Sequence, residues 1–280
     1  MKKIFTPLMV MFSLVINAQT FSPVNPAYTD YLSKKTAGTL VQFTDDGFSL
    51  GEIPEVTLPQ FSSYKPISVN NSTKSFPALY DLRTLSLVTS VKNQNPYGTC
   101  WAHAAMGAIE SNWLKTSYGT YNLSESNMAT CHGFEWGWND GGNRTLAGAY
   151  VSRISGPVSE TDDAYSRLAA NDTLCHSGLN PVSVVANVRF LPNDMDVIKQ
   201  AVTDYGAIYT NYYHDNSYYN SSEKTYYCPD DLGTNHAVLI VGWDDNKTVT
   251  SAPGNGAWII KTAGVQVGEN RDIFIFHIMM

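Results

Sequence analysis

Cys100 stands where a thiol can become a nucleophile. It follows Gln94-Asn95-Pro96-Tyr97-Gly98-Thr99 and opens a run in which Trp101, Ala104, Ala105, Ala108 and Ile109 recur at helical spacing. That spacing predicts a buried helix beginning at Cys100, with the sulfur at its N-terminal tip. Unpaired N–H groups and a partial positive charge at such a tip favour the thiolate over the neutral thiol. Gln94 lies six residues upstream on a loop broken by Pro96 and Gly98. Its side-chain NH2 can sit beside the Cys100 N–H, giving two donors for the oxyanion of a tetrahedral intermediate. The combination suits acyl transfer; an inert core cysteine is the plain alternative for a lone thiol.

A thiol nucleophile needs a base. Of His103, His132, His176, His214, His236 and His277, His236 is the choice, because Asn235-His236-Ala237-Val238-Leu239-Ile240-Val241-Gly242-Trp243 puts it at the head of a buried strand. Thiolate and imidazolium would form the resting pair, His236 then protonating the leaving amine and later activating water. A satisfied structural histidine is the competing reading. His103, one helical turn beyond Cys100, is read as a packing or hydrogen-bonded residue.

These residues resemble the papain-like cysteine peptidases. Tyr97-Gly98-Thr99-Cys100-Trp101 follows the local pattern around that family's nucleophile, and the separation of His236 from Cys100 fits the family's spacing. Tyr97 replaces the cysteine that usually opens the pattern, and Thr99 a small Ser or Ala. The cysteine that would precede Gly141-Gly142 is also missing, Asp140 standing there, so both halves of one family disulfide are lost together. The resemblance implies that the backbone of Gly141 and Gly142 lines a cleft and pairs with an extended substrate. A plain turn leading into a helix explains the glycines nearly as well without it. The segment ending in Cys131 looks like the one after the family's nucleophile helix, which implies a Cys131–Cys175 bond, with Cys228 free or paired outside the chain. Three reduced, buried thiols are the alternative.

The orienting member of the family's triad is where the chain departs. Relatives carry an Asn after a strand, inside a Lys-Asn-Ser-Trp-Gly block. Here Trp258-Ile259-Ile260-Lys261 arrives on schedule and Thr262 follows, so the orienting position lacks the family Asn. Restoring one base after the Lys261 codon lets residues 262–280 be re-read as NSWGTSWGEQGYFYISYYD, close to the family's own ending. The expectation is a single base lost from a run of A, with resequencing of that locus as the check. A freer imidazole and a damaged second lobe would be the physical consequences.

The rest of the chain must position these groups. Its 280 residues are 43% hydrophobic, enough for a sizeable core. A net charge of -7, with no basic run, argues against a nucleic-acid binder. Lys2-Lys3, the apolar run 4–16 and Asn17-Ala18-Gln19 read as a signal peptide over 1–19; the run is too short to span a membrane comfortably. Residues 20–75 have scattered hydrophobics and the polar run Asn70-Asn71-Ser72-Thr73-Lys74, without the long helical period that the resemblance implies for an inhibitory propeptide, and read as a prosegment or linker that is not expected to block the cleft. Phe76-Pro77-Ala78-Leu79-Tyr80-Asp81-Leu82-Arg83 resembles the family's mature start, so 76–280 is taken as the peptidase domain, atypical from 262. Ser124 with Glu125 caps a second helix, Asn143 leads into a third, and Asp194 caps a fourth reaching Tyr205. Short β-branched runs at 207–209, 237–242 and 257–260 follow, and the tyrosine-rich stretch 205–227 is assigned no function.

The expected architecture is α+β, a papain-like two-lobe fold with a helical N-terminal lobe, a β-rich C-terminal lobe and the cleft between them. The expected function is hydrolysis of peptide bonds in a peptide or protein substrate by a secreted or cell-surface endopeptidase, with no metal or other cofactor. A peptide-binding or surface-interaction protein that has lost turnover is the alternative. Oligomeric state and side-chain preference are not legible.

Overall fold

The computed structural model describes residues 23–45, 47, 49–57, 75–154 and 156–263, and the backbone of 273–277. The expected leader, 1–19, lies outside the described residues.

Among the described residues five α-helices and seven strands lie in this order: α1 Pro26–Ala37, β1 Leu79–Asp81, α2 Cys100–Lys115, α3 Glu125–Cys131, α4 Arg144–Ser152, α5 Met195–Tyr205, β2 Ile208–Tyr212, β3 Tyr219–Asn220, β4 Thr225–Tyr226, β5 His236–Thr248, β6 Asn255–Lys261 and β7 Ile273–His277. The caps anticipated at Ser124 and Asp194 are in place, and Asn143, expected only to lead into its helix, caps it too, each side chain accepting the N–H three residues on. One helix was not anticipated. In α1 only Tyr31 is buried, so its sequence shows little apolar period; its ends fix it instead, through the Asn25 cap, Pro26 in the first turn and Gly38 left-handed at the close.

The sheet is built on β5, whose first eight residues are all buried. On one side β2 pairs antiparallel with its N-terminal half, opposing Tyr212 to His236, and β1 pairs with the half beyond. On the other side runs β6, followed in order by β7, β4 and β3. Gly242 is required where β1 crosses: a Cβ there would stand 2.1 Å from the Tyr80 carbonyl oxygen.

Helix α2 lies between the lobes and serves both. Trp101 and Met106 pack with Leu123, Met128, Leu146 and Tyr150 on the helical side. Gly107 faces the sheet, where a Cβ would meet Leu239 Cδ1 at 2.5 Å. Beneath it Lys92 Nζ is held by Glu110 at 2.9 Å, Glu125 at 2.6 Å and the Leu123 carbonyl at 2.8 Å, which locks α2 to the start of α3. Burying that ammonium is tolerable only because each of its protons has a partner.

Cys131 and Cys175 form the disulfide that the resemblance implied, and Cys228 is a free thiol. The bond spans 44 residues and ties α3 to the loop after the fourth helix. Replacing both cysteines by serine is expected to lower stability by about 2–4 kcal/mol, read as an earlier thermal unfolding midpoint.

Candidate active site

Cys100 is the first residue of α2, and Thr99, the N-cap, makes no side-chain cap. The Thr99 hydroxyl meets Tyr165 Oη at 2.5 Å instead. The Ala102 and His103 N–H groups donate to the Thr99 carbonyl, at 3.0 and 3.2 Å, which leaves those of Cys100 and Trp101 at the tip. Sγ accepts the Ala237 N–H at 3.4 Å, and the N–H groups of Trp101 and Gly51 as well. Ala237 directly follows His236, so the head of β5 is drawn against the sulfur. The helix tip that carries Cys100 thus touches the strand that His236 heads.

His236 is wholly buried, and its Nε2 lies 3.0 Å from Thr262 Oγ1. A hydroxyl therefore stands at the site where the family Asn was missed. Tyr212 packs edge-on to the ring. Burial, with His214 and His103 nearby, pushes the imidazole well below its usual range. Burial first, and then the charge of Glu52, push the Cys100 thiol up to about 12. In this state both groups are neutral. His103 is the packing residue expected: its Nδ1 lies 3.0 Å from the Thr99 carbonyl oxygen, its ring meets Tyr165 edge-on, and burial takes its pKa down to about 3.

Residues 49–53 of the chain's own N-terminal region lie against this site, and the Glu52 charge is part of what raises the thiol. Gln94 Nε2, the expected oxyanion donor, gives its protons to the carbonyls of Ser49 at 3.0 Å and Tyr97 at 3.1 Å. Gly142 N–H donates to the Gly51 carbonyl at 2.9 Å, and Ile53 N–H to the Gly142 carbonyl at 2.8 Å, a parallel bridge. On the sheet side Glu52 N–H donates to the Asn235 carbonyl at 3.0 Å. Ser49, Leu50, Glu52 and Ile53 are all buried. Gly141, with φ +101, turns the chain so that Gly142 presents both backbone groups, and a Cβ on Gly142 would lie 2.4 Å from the Trp101 ring. Helix α1 anchors the same region from outside, Lys35 pairing with Asp140 at 3.0 Å.

Sequence reasoning missed Glu52, Tyr209 and Asn211. The Glu52 carboxyl accepts from Tyr209 Oη at 2.6 Å and Asn211 Nδ2 at 2.8 Å, and burial takes it up to about 8. The available signal was slight, Leu50 and Ile53 flanking Gly51-Glu52. Among the described residues there is no cluster of side chains suited to a metal ion, and no helix is long and apolar enough to cross a membrane.

Residues 76–270 match the family model described as papain family cysteine protease. A cathepsin L-like peptidase of Aedes aegypti is 31% identical over 215 residues, which are 70% of this chain and 60% of that protein. The chain thus spans about three fifths of the length of the curated relatives it matches. Among solved structures, the cysteine protease and lectin-like domains of Cwp84, a surface layer associated protein of Clostridium difficile, share the fold at TM-score 0.66 and 24% identity, over 91% of this chain and 56% of that one. Bromelain from Ananas comosus, solved with the inhibitor E64, aligns at TM-score 0.58 and 26% identity, covering 72% of this chain and 89% of its own. The two-lobe α+β arrangement is therefore the papain-like fold, and the chain belongs to the papain family of cysteine proteases.

Proposed function

We propose that this chain is a secreted or cell-surface cysteine endopeptidase, held latent by residues 49–53 in its own cleft. The observation that carries the reading is the contact of the α2 tip with the β5 head, where the Ala237 N–H meets Cys100 Sγ at 3.4 Å. With the segment gone and water admitted, the desolvation that keeps both groups neutral is relieved, and a proton can pass from sulfur to His236. The Cys100 thiolate then attacks the scissile carbonyl carbon while the Cys100 N–H and Gln94 Nε2 hold the oxyanion. Collapse of that intermediate breaks the C–N bond. The imidazolium protonates the leaving amine, and the acyl group stays on sulfur as a thioester. His236 next takes a proton from water, whose oxygen attacks the thioester, and the thiolate returns. Export is supported by the leader over 1–19 and by the Cys131–Cys175 bond, which suits an oxidising compartment.

Thr262 is read as the positioning residue for the imidazole, holding Nε2 and leaving Nδ1 to exchange the proton with sulfur. Thr262→Ala is expected to lower kcat about tenfold with KM little changed, and Thr262→Asn to raise it above the parent. Steady-state kinetics on a fluorogenic peptide check both. The shorter hydroxyl at this place also favours a second reading, a peptide-binding relative with weakened turnover. Cleavage of unfolded casein by the full chain, lost in Cys100→Ala, tests the endopeptidase reading; binding of peptides without any cleavage would favour the second.

A further inference from the structure

The side chain next to the residue seated over the sulfur occupies a pocket that is polar on one wall. Gly51 gives its N–H to Cys100 Sγ, and Glu52 turns its carboxyl toward β2, where Tyr209 and Asn211 stand two apart on one face of the strand. Both offer protons: Tyr209 Oη at 2.6 Å to one carboxyl oxygen, Asn211 Nδ2 at 2.8 Å to the other. Glu52 as a whole is only 6% exposed. No cation pairs with it among the described residues, since Arg144 is committed to Glu55 at 3.2 Å. Glu55 and Cys100 are the other titratable groups that bear on this site.

We propose that Tyr209 and Asn211 make this pocket a selector for glutamine and glutamic acid side chains in the peptide substrate. The inference rests on the peptidase reading, and it assigns the substrate class. A carboxamide meets both walls without bringing a charge out of water, since its oxygen can accept from Tyr209 Oη and from Asn211 Nδ2. A leucine would leave a buried hydroxyl and a buried amide donor without acceptors, which costs far more than an ordinary hydrogen bond contributes. A lysine would set its own protons against two donors. Glutamic acid enters as well as glutamine while it is protonated, and loses ground as it ionises, because no cation waits for the carboxylate. Burial takes the Glu52 carboxyl itself up to about 8. The direction in which a peptide runs does not alter this, since the walls belong to the lobe.

The test uses the full chain carrying Glu52→Lys, which cannot keep its segment seated, and a fluorogenic peptide library randomised around the scissile bond. One position is expected to favour glutamine over leucine about tenfold at pH 7, with glutamate gaining on glutamine as pH falls. Tyr209→Phe and Asn211→Ala, made separately in case one fails to fold, are each expected to cut that preference about fivefold. A preference for leucine or phenylalanine in the parent, or a glutamine preference that neither substitution moves, overturns the assignment. If this protein cleaves nothing, the peptidase reading fails but the pocket is still read, from protection of Cys100 against iodoacetamide. Glutamine peptides should protect at about a tenth of the concentration that leucine peptides need, and equal protection overturns the pocket alone.

Discussion

Gly51→Val is expected to empty the cleft and raise the alkylation of Cys100 by iodoacetamide about 10²–10³-fold, read by mass spectrometry of the labelled peptide. A Cβ on Gly51 would lie 2.3 Å from the Gly98 carbonyl oxygen, and that oxygen belongs to backbone that cannot step aside. The valine therefore forbids the seat rather than weakening it. What is lost is a ladder of contacts: Gln94 to Ser49, Gly142 to Gly51 and Ile53, Glu52 to Asn235, and the Glu52 carboxyl to β2. Each such bond is worth about 1 kcal/mol net, so three or four of them account for the factor. In the parent chain, raising the pH should act in the same direction. The Glu52 carboxyl lies near 8 in the seat against an ordinary 4.5, so its seated form holds a proton that the released form gives up between those values. The seat is favoured below about 4.5 and is lost progressively as the pH rises through 8. Glu55 raises this pKa further and Arg144 lowers it, both less than burial does. Glu52→Gln should flatten the pH dependence of labelling.

His236→Ala, made in the Gly51→Val protein, is expected to reduce peptide hydrolysis by about 10³-fold or more and to remove the thiolate shoulder from the pH profile of alkylation. The sulfur gains help from the first turn of α2 and from the Ala237 N–H, but neither can accept its proton. Only the imidazole at the strand head can do so and return it to the leaving amine. Cys100→Ala should abolish hydrolysis and leave Cys228 as the thiol that iodoacetamide still labels. His103→Phe, by contrast, should leave the labelling profile unchanged, because that ring faces Tyr165 and the Thr99 carbonyl.

Much of this was legible in the sequence wherever the signal was local. The helix start at Cys100, the caps at Ser124 and Asp194, the helix after Asn143 and the strand headed by His236 each follow from a short run of residues whose period or end signals agree. The Cys131–Cys175 bond followed from resemblance, since three spare cysteines cannot be paired on arithmetic alone. Helix α1 was missed because it has no apolar stripe and leans on the 136–140 loop through single contacts such as Tyr28 with Trp136. The seat of residues 49–53 was missed for a related reason. Gly51 and Ile53 find their partners at Gly142 and Glu52 at Asn235, pairings set by tertiary structure that no local pattern encodes. Thr262 was recognised as the departure, and its contact with His236 shows that a three-atom side chain still reaches the ring. The re-read ending concerns residues 262–280, of which 264–272 and 278–280 lie outside the described residues.

The central claim is that Cys100 and His236 work as one proton-sharing pair once the cleft is open. An epoxysuccinyl probe applied to Gly51→Val and to Gly51→Val/His236→Ala tests it most directly. The account predicts a covalent adduct on Cys100 that forms at least about 100-fold faster than with a free thiol, and that this advantage disappears without the imidazole. Labelling no faster than a free thiol, or equally fast in both proteins, would contradict it.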